Sequence, residues 1–211
     1  MKRTYSIQYF KGFVAMFWLF LGSSLAHAQT FHAHTFGGVN FSQVDGDHIA
    51  GYNKGGLNFG IGIWHKLKNE HRVGFDLSYA QKGSKLVNSP DAVVPQIFVI
   101  KSAYVEMPLW YSIPMTFLEE LELEGGLGIG VNVAGTIDDG PRVSDAEFNK
   151  IEVAFNLGGT YWLSDNFGLR LRHSLSLNRI GGNYDNPSRP LSPIRIGMYN
   201  RLYSLSVVYG L

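Results

Sequence analysis

The stretch LELEGGLGIGVNV, residues 121–133, alternates apolar side chains with small or polar ones. In an extended chain its leucine, isoleucine and valine side chains point to one side, and its glutamate and asparagine side chains point to the other. This period of two predicts a β-strand with one apolar face. The stretch is about twice as long as an ordinary globular strand, and it matches the length that a tilted strand needs to cross a bilayer.

The same alternation recurs along the chain, whereas the spacing of an amphipathic helix hardly appears. Together with residues 121–133, seven further stretches bring the count of predicted strands to eight. These are residues 35–44, 57–64, 72–79, 103–111, 151–163, 167–177 and 199–211.

The links between these stretches alternate in length. Four are long and rich in Gly, Pro, Asp and Asn, at residues 45–53, 85–96, 135–148 and 181–196. The three between them are short, at residues 68–70, 114–119 and 164–166. An outer-membrane barrel with both termini in the periplasm has short inner turns and long outer loops. The sequence therefore predicts an all-β fold, an eight-stranded antiparallel up-and-down transmembrane β-barrel.

The polar face distinguishes this barrel from a soluble lipocalin-like carrier, whose apolar face would surround an apolar ligand. Solvent-exposed faces are usually rich in Lys and Glu, but this face is mostly Gly, Ser, Asn and Ala. Small residues suit the narrow lumen of eight strands, where the few charges must neutralise each other. The candidate site is therefore an ion-pair network in the lumen, formed by Arg72, Asp76, Glu106, Glu122, Glu124, Glu152, Arg170 and Arg172.

Within this network, Glu106 is expected to face Arg170 or Arg172. The pair would fill and neutralise the lumen, or it would act as a gated salt bridge or a docking site for a plug or partner.

Aromatic residues lie toward the ends of the apolar stretches. The tyrosines are Tyr79, Tyr111, Tyr161, Tyr199 and Tyr209, and Trp64 and Trp162 lie near them in sequence. This distribution is typical of the aromatic girdles at the two surfaces of a membrane.

The N-terminus has the order of a secretory signal. Lys2, Arg3 and Lys11 precede an apolar run at residues 13–21, and small residues ending in Ala28 follow. The run is too short for a membrane-spanning helix. Residues 1–28 are thus predicted to be a signal peptide, and residues 29–211 one outer-membrane β-barrel domain.

Composition excludes several functions. Without the signal, 15 basic and 17 acidic residues remain, a balance that disfavours nucleic acid as a partner. The chain has no cysteine, which excludes disulfides, thiolate metal sites and a cysteine nucleophile. The expected partners are outer-membrane lipid and other envelope proteins, and no cofactor is expected.

Histidines are the candidates for catalytic or metal-binding residues. His173 and Ser174 are adjacent in a strand and therefore point to opposite faces, which argues against a nucleophile with its base. His32 and His34 share a face, but they lie at an N-terminus expected to fray and no further ligand cluster accompanies them. Catalytic and metal-binding residues are accordingly predicted to be absent.

Several motifs add a family resemblance: FGGVN at 36–40, YAQKG at 79–83, YVEMPL at 104–109, GGLGIG at 125–130, FNLGGTY at 155–161 and LRLRH at 169–173. In this order they resemble the PorT-like outer-membrane β-barrel proteins of Bacteroidetes. The resemblance implies a barrel in the outer membrane; founding members of the family are associated with type IX secretion. The expected function is non-enzymatic, structural or accessory to an envelope or secretion complex, without an open pore. A lipid-modifying enzyme and a soluble carrier remain alternatives.

Overall fold

The computed structural model describes residues 31–47, 49–88, 97–146, 148–181 and 197–211. The predicted signal peptide and its cleavage after Ala28 lie outside the described residues. The described part is built almost entirely of strands, and it contains no helix long and apolar enough to cross a membrane.

Nine strands are present in the described residues: β1 (Phe31–Asp45), β2 (Lys54–Lys66), β3 (Arg72–Lys85), β4 (Val99–Met115), β5 (Leu118–Asp138), β6 (Val143–Asp145), β7 (Ile151–Ser164), β8 (Phe167–Ser176) and β9 (Tyr199–Gly210). One 3-10 turn, Lys68–Glu70, joins β2 to β3. Strand β6 is a short addition that pairs with the last three residues of β5.

The other eight strands close into a barrel. Strand β1 lies beside β2, and antiparallel pairing continues from β2 through β3, β4, β5, β7 and β8 to β9. The last strand then pairs antiparallel with the first, from His34 opposite Gly210 to Asp45 opposite Tyr199. Closure leaves no free sheet edge among these strands. The predicted eight-stranded antiparallel barrel is confirmed.

The barrel has two unlike ends. At the turn end, the links at residues 67–71, 116–117 and 165–166 are short, and the backbone amide of Leu211 donates to the carbonyl of Ala33 (2.9 Å). At the loop end, the strands are joined by the longer links at residues 46–53, 86–98, 139–150 and 177–198. Long and short links alternate as predicted, although residues 89–96 and 182–196 of the long links lie outside the described part.

The outer wall of the barrel is apolar. On β2, the side chains of Leu57, Phe59, Ile61 and Ile63 are each about half exposed, and equivalent leucine, isoleucine, valine and phenylalanine residues follow on the other strands. A continuous apolar band of this kind is stable when lipid covers it, whereas water would penalise so large an exposed patch. The apolar face points outward, as the polar-face composition predicts.

The tyrosines only partly form the predicted girdles. Tyr111, Tyr161 and Tyr209 lie on the outer face near the turn end and are 40–47% exposed. Tyr79 lies halfway along β3 and packs against Phe59. Tyr199 is buried, so the prediction is wrong for this residue.

Trp64 and Trp162 also depart from the prediction. The guanidinium of Arg72 lies 4.3 Å from the ring centre of Trp64 and 5.3 Å from that of Trp162. Both indoles therefore lie on the lumen side of the wall. The physical reason is the period of two, because both positions share the phase of the polar face and not that of the leucines.

Strands β4 and β5 approach each other closely at Gly126. A Cβ at Gly126 would overlap the carbonyl oxygen of Leu109 and lie 2.8 Å from the Cα of Trp110, whereas a Cβ at Gly125 would meet only ordinary contacts beyond 3.7 Å. We expect Gly126→Ala to lower the free energy of unfolding in lipid vesicles by about 1–3 kcal/mol, measured by urea titration. Gly125→Ala is the matched control and is expected to leave it nearly unchanged; equal effects of the two would contradict the packing described.

Candidate functional site

The lumen holds three groups of charged and polar side chains. Nearest the turn end is the Arg72–Glu122 pair. Next comes the Asp76 cluster, which we define as His34, Asp76, Trp110, Glu124, Arg170 and Arg172. Toward the loop end lies the Lys82 cluster, defined as Lys82, Tyr104, Glu106, Glu152, Ser176 and Asn200.

Asp76 is the centre of its cluster and is fully buried. One carboxylate oxygen, Oδ1, accepts a hydrogen bond from the Trp110 indole (2.8 Å) and lies 3.1 Å from Nε2 of His34. The other oxygen, Oδ2, lies 3.3 Å from Nη1 of Arg170 and 3.2 Å from Nη1 of Arg172. Both oxygens are therefore engaged, as a buried carboxylate requires.

Glu124 shares the two arginines with Asp76. Its Oε1 accepts from Nε of Arg172 at 2.6 Å, and its Oε2 lies 3.5 Å from Nε of Arg170. Nε of Arg170 also donates to the Thr160 hydroxyl at 3.2 Å. Two carboxylates thus neutralise two guanidinium groups in the interior, where an unpaired charge would cost several kcal/mol.

The Arg72–Glu122 pair joins β3 to β5 on the lumen side at the turn end. Nη2 of Arg72 lies 2.9 Å from Oε1 of Glu122, which also accepts from the Trp162 indole at 3.0 Å. Ser112 donates to the second oxygen of Glu122 at 3.1 Å. Because the Arg72 guanidinium also contacts the faces of Trp64 and Trp162, it is held by charge and by cation–π contacts together.

Lys82 organises the second cluster. Its buried ammonium lies 2.5 Å from Oε1 of Glu106 and 2.9 Å from Oε2 of Glu152, and 4.8 Å from the ring centre of Tyr104. The Ser176 hydroxyl donates to the remaining oxygen of Glu152. One cation therefore pairs with two carboxylates, one from β4 and one from β7.

All eight residues predicted for the network occur in these groups, each with a partner of opposite charge from the same set or with Lys82. The prediction is wrong only in the cation that Glu106 was expected to face. The ion-pair partner of Glu106 is Lys82 and not Arg170 or Arg172. Glu106 pairs with Ser78 in the β3–β4 register, on the side of the arginines nearer the loop end, where Lys82 reaches it. The arginines are instead engaged by Asp76 and Glu124.

Two basic members of the clusters, Lys82 and His34, were not predicted. Lys82 lies beyond the stretch 72–79 that the alternation predicts for this strand. The strand continues to Lys85, and the same alternation then puts Lys82 on the face of Asp76. His34 was expected to fray, but it is 2% exposed and contacts Asp76. Pairing of β1 with both neighbouring strands holds its first residues in the wall.

Glycines make room for the large lumen side chains. A Cβ at Gly62 would overlap Oδ1 of Asp76 and the ring of His34, and a Cβ at Gly74 would overlap the ring of Trp110. The polar phase of the alternation thus combines a few long charged side chains with glycines opposite them, because an eight-stranded lumen has no space for both to be large.

Between the two clusters lies an enclosed cavity of about 30 Å³, enough for about two water molecules. Its polar lining includes Asn58, Ser78, Glu106, Asn156, Arg172 and Ser204. Beyond the Lys82 cluster, the loop end is packed with apolar side chains from strands and links, namely Val44, Ile100, Ile180 and Met198, with Phe98, Ile137 and Phe148 against them. Side chains therefore fill the lumen on both sides of a small polar cavity.

His173 and Ser174 lie on opposite sides of β8, as the alternation predicts. The His173 ring packs on the outward Tyr203 ring with centres 4.6 Å apart, and Ser174 is buried in the lumen. In the described part of the chain, no three carboxylate or imidazole groups are arranged to hold a metal ion.

Comparison with known proteins identifies the fold. No protein-family model and no curated protein matches the chain. Among solved structures, neisserial surface protein A aligns over 85% of this chain and 96% of its own, with a TM-score of 0.51 and 14% identity. The attachment invasion locus protein Ail of Yersinia pestis aligns over 87% and 99%, with a TM-score of 0.52 and 16% identity. The chain has the fold of the eight-stranded outer-membrane β-barrels.

Removing the charge at the centre of the Asp76 cluster should destabilise this barrel strongly. Asp76→Asn leaves Arg170 and Arg172 with Glu124 alone, and breaking a buried pair of this kind costs about 3–5 kcal/mol. The measurement is urea unfolding in lipid vesicles. Lys66→Gln is the control, because its pair with Glu70 is exposed and is worth at most about 1 kcal/mol. Equal destabilisation by the two variants would contradict the role given to Asp76.

Proposed function

We propose that this protein is a closed, non-enzymatic barrel of the bacterial outer membrane that acts structurally or as an accessory to an envelope complex. One observation carries the proposal: an apolar outer wall surrounds a lumen filled by buried ion pairs. Such a barrel is suited to lipid outside, and its interior leaves little space for a diffusing solute.

The orientation follows from the two ends of the barrel. Short turns and the chain end at Leu211 lie together at one end, and the long links lie at the other. In outer-membrane barrels the short turns face the periplasm and the long loops face outward. We therefore place both termini of the domain in the periplasm and the loop end at the cell surface.

Membership of the PorT-like barrels of Bacteroidetes is part of the proposal, and the structure gives its motifs a shared physical role. Lys82 belongs to YAQKG and Glu106 to YVEMPL, and these two side chains form an ion pair in the lumen. Gly83 of the first motif adopts a φ of +145°, and a Cβ there would overlap the carbonyl of Ile100. The two motifs thus depend on each other across β3 and β4. Membership would imply a role beside an envelope or secretion complex.

The alternatives make different demands on the molecule. A soluble carrier needs an apolar lumen, whereas the described lumen is lined with charge. A lipid-modifying enzyme needs a nucleophile and its base on one face, and His173 and Ser174 lie on opposite faces. Incubation with phospholipid and lipid A, followed by mass spectrometry, tests the enzyme directly, because a converted lipid would refute the non-enzymatic proposal.

The filled lumen predicts that the barrel does not conduct. In planar bilayers, the purified protein is expected to give no stable conductance steps. Glu106→Gln should give none either, because Lys82 still forms its ion pair with Glu152 and the Asp76 cluster is unchanged. Glu119→Gln, an exposed change at the turn end, is the control. Steps from the unchanged protein would refute the closed barrel, and steps from Glu106→Gln alone would show that the pair is a gate.

The absence of cysteine allows the orientation to be tested with single cysteines. Pro141 is exposed in the link between β5 and β6 at the loop end, and Phe117 is 80% exposed at the turn end. On intact cells, a bulky maleimide should label Pro141→Cys but not Phe117→Cys, and after lysis it should label both. Fractionation and a heat-modifiable band confirm that each variant is a folded membrane barrel. Labelling of Phe117→Cys on intact cells would reverse the proposed orientation.

A further inference from the structure

Three lysines lie close together at the loop end of neighbouring strands. Lys54 is the first residue of β2, Lys85 is the last of β3, and Lys101 follows the start of β4 opposite Gly83. The charges of Lys85 and Lys101 both act on Lys54. Among the described residues, the lysines that form ion pairs are Lys66 and Lys82. This triad is therefore a concentration of positive charge with no carboxylate of the described chain to neutralise it.

A groove in the wall accompanies the lysine triad. It measures about 240 Å³, and its lining includes Lys54, Lys101, Tyr79, Gln81 and Thr136. The Gln81 amide lies within hydrogen-bond distance of the Tyr79 hydroxyl (3.5 Å). Ammonium, amide and hydroxyl groups together form a polar rim suited to an anion with several acceptor oxygens.

The wall has a second depression, farther from the loop end, and Tyr79 lines both. This depression measures about 350 Å³ and is lined mainly by apolar side chains, including Phe59, Ile61, Leu77 and Val105. These side chains belong to the outer apolar band. The same side of the barrel thus presents a cationic, polar groove near its loop end and an apolar depression nearer its middle, which is the order of a lipid headgroup and its acyl chain.

We propose that this surface, formed by the lysine triad, the polar groove and the apolar depression, binds a phosphate-bearing lipid. The phosphates lie between the ammonium groups, and an acyl chain lies against Phe59 and Leu77. The choice of lipid rests on the proposed orientation, because a loop end at the cell surface puts the triad in the outer leaflet. The proposed ligand is the phosphorylated glycolipid of that leaflet, lipid A.

A phosphate carried by a lipid suits this surface for two physical reasons. Clusters of lysine near a membrane surface attract anionic headgroups, each lysine contributing about a fivefold factor in affinity. The apolar depression adds specificity for a lipid over a free phosphate, because buried acyl surface contributes to binding only when a chain is present.

Native mass spectrometry of the full barrel in mild detergent tests the proposal. The probes are lipid A with both phosphates, the same lipid without phosphates, and glucosamine phosphate without acyl chains. The test variant is Lys85→Gln with Lys101→Gln, both exposed positions. Lys54 is left unchanged, because its ammonium donates to the carbonyl of Gly55 and a change there would disturb the strand. The matched control is Lys66→Gln with Lys68→Gln, which removes the same charge at the turn end.

The unchanged barrel and the control are expected to retain phosphorylated lipid A in preference to the other two probes. The test variant should bind it about 25-fold more weakly, and Lys85→Arg with Lys101→Arg should restore binding. Equal retention of lipid A with and without phosphates, or equal loss in the test and control variants, would overturn the proposal. A heat-modifiable band shows that each variant is folded. Maleimide labelling of Pro141→Cys and Phe117→Cys tests the proposed orientation separately, so the two failures are distinguishable.

Discussion

The rest of the structure depends on the pairing of opposite charges inside a lumen too narrow for water to solvate them. In the described part of the chain, four lumen cations contact five carboxylates: Arg72, Lys82, Arg170 and Arg172 face Asp76, Glu106, Glu122, Glu124 and Glu152. Each cation has a carboxylate within 3.5 Å. Neutral donors such as the indole of Trp110 give the carboxylates further hydrogen bonds. An unpaired charge in this interior would cost about 3–5 kcal/mol, a large part of the ordinary stability margin of a fold.

These contacts join parts of the wall that the backbone ladders do not. Hydrogen bonds of the ladder connect only neighbouring strands, whereas Asp76 on β3 reaches Arg172 on β8, 96 residues away. Lys82 on β3 likewise reaches Glu152 on β7. The ladder closes the barrel, and the ion pairs hold opposite walls at a fixed distance. Glycines at positions such as Gly62 and Gly74 are part of the same arrangement, because they leave the volume that the charged side chains occupy.

The period of two is a local property of the chain, and so the strands, the outward apolar face and the rhythm of the links were all predictable from sequence. Which charges meet across the lumen is not local, because it depends on the register of every strand pair around the barrel. Glu106 was therefore assigned to the correct face but to the wrong cation. Trp64 and Trp162 show the reverse error: their aromatic character suggested a girdle, although their phase puts them in the lumen.

A filled lumen also limits where such a protein can act. The interior side chains satisfy one another, and the enclosed cavity has room for about two water molecules. Groups able to recognise another molecule are thus those of the outer wall and of the loop end. There the lysine triad is the exception to the charge pairing found inside: within the described residues it has no carboxylate partner. Its position beside an apolar depression makes lipid the natural source of the missing negative charge.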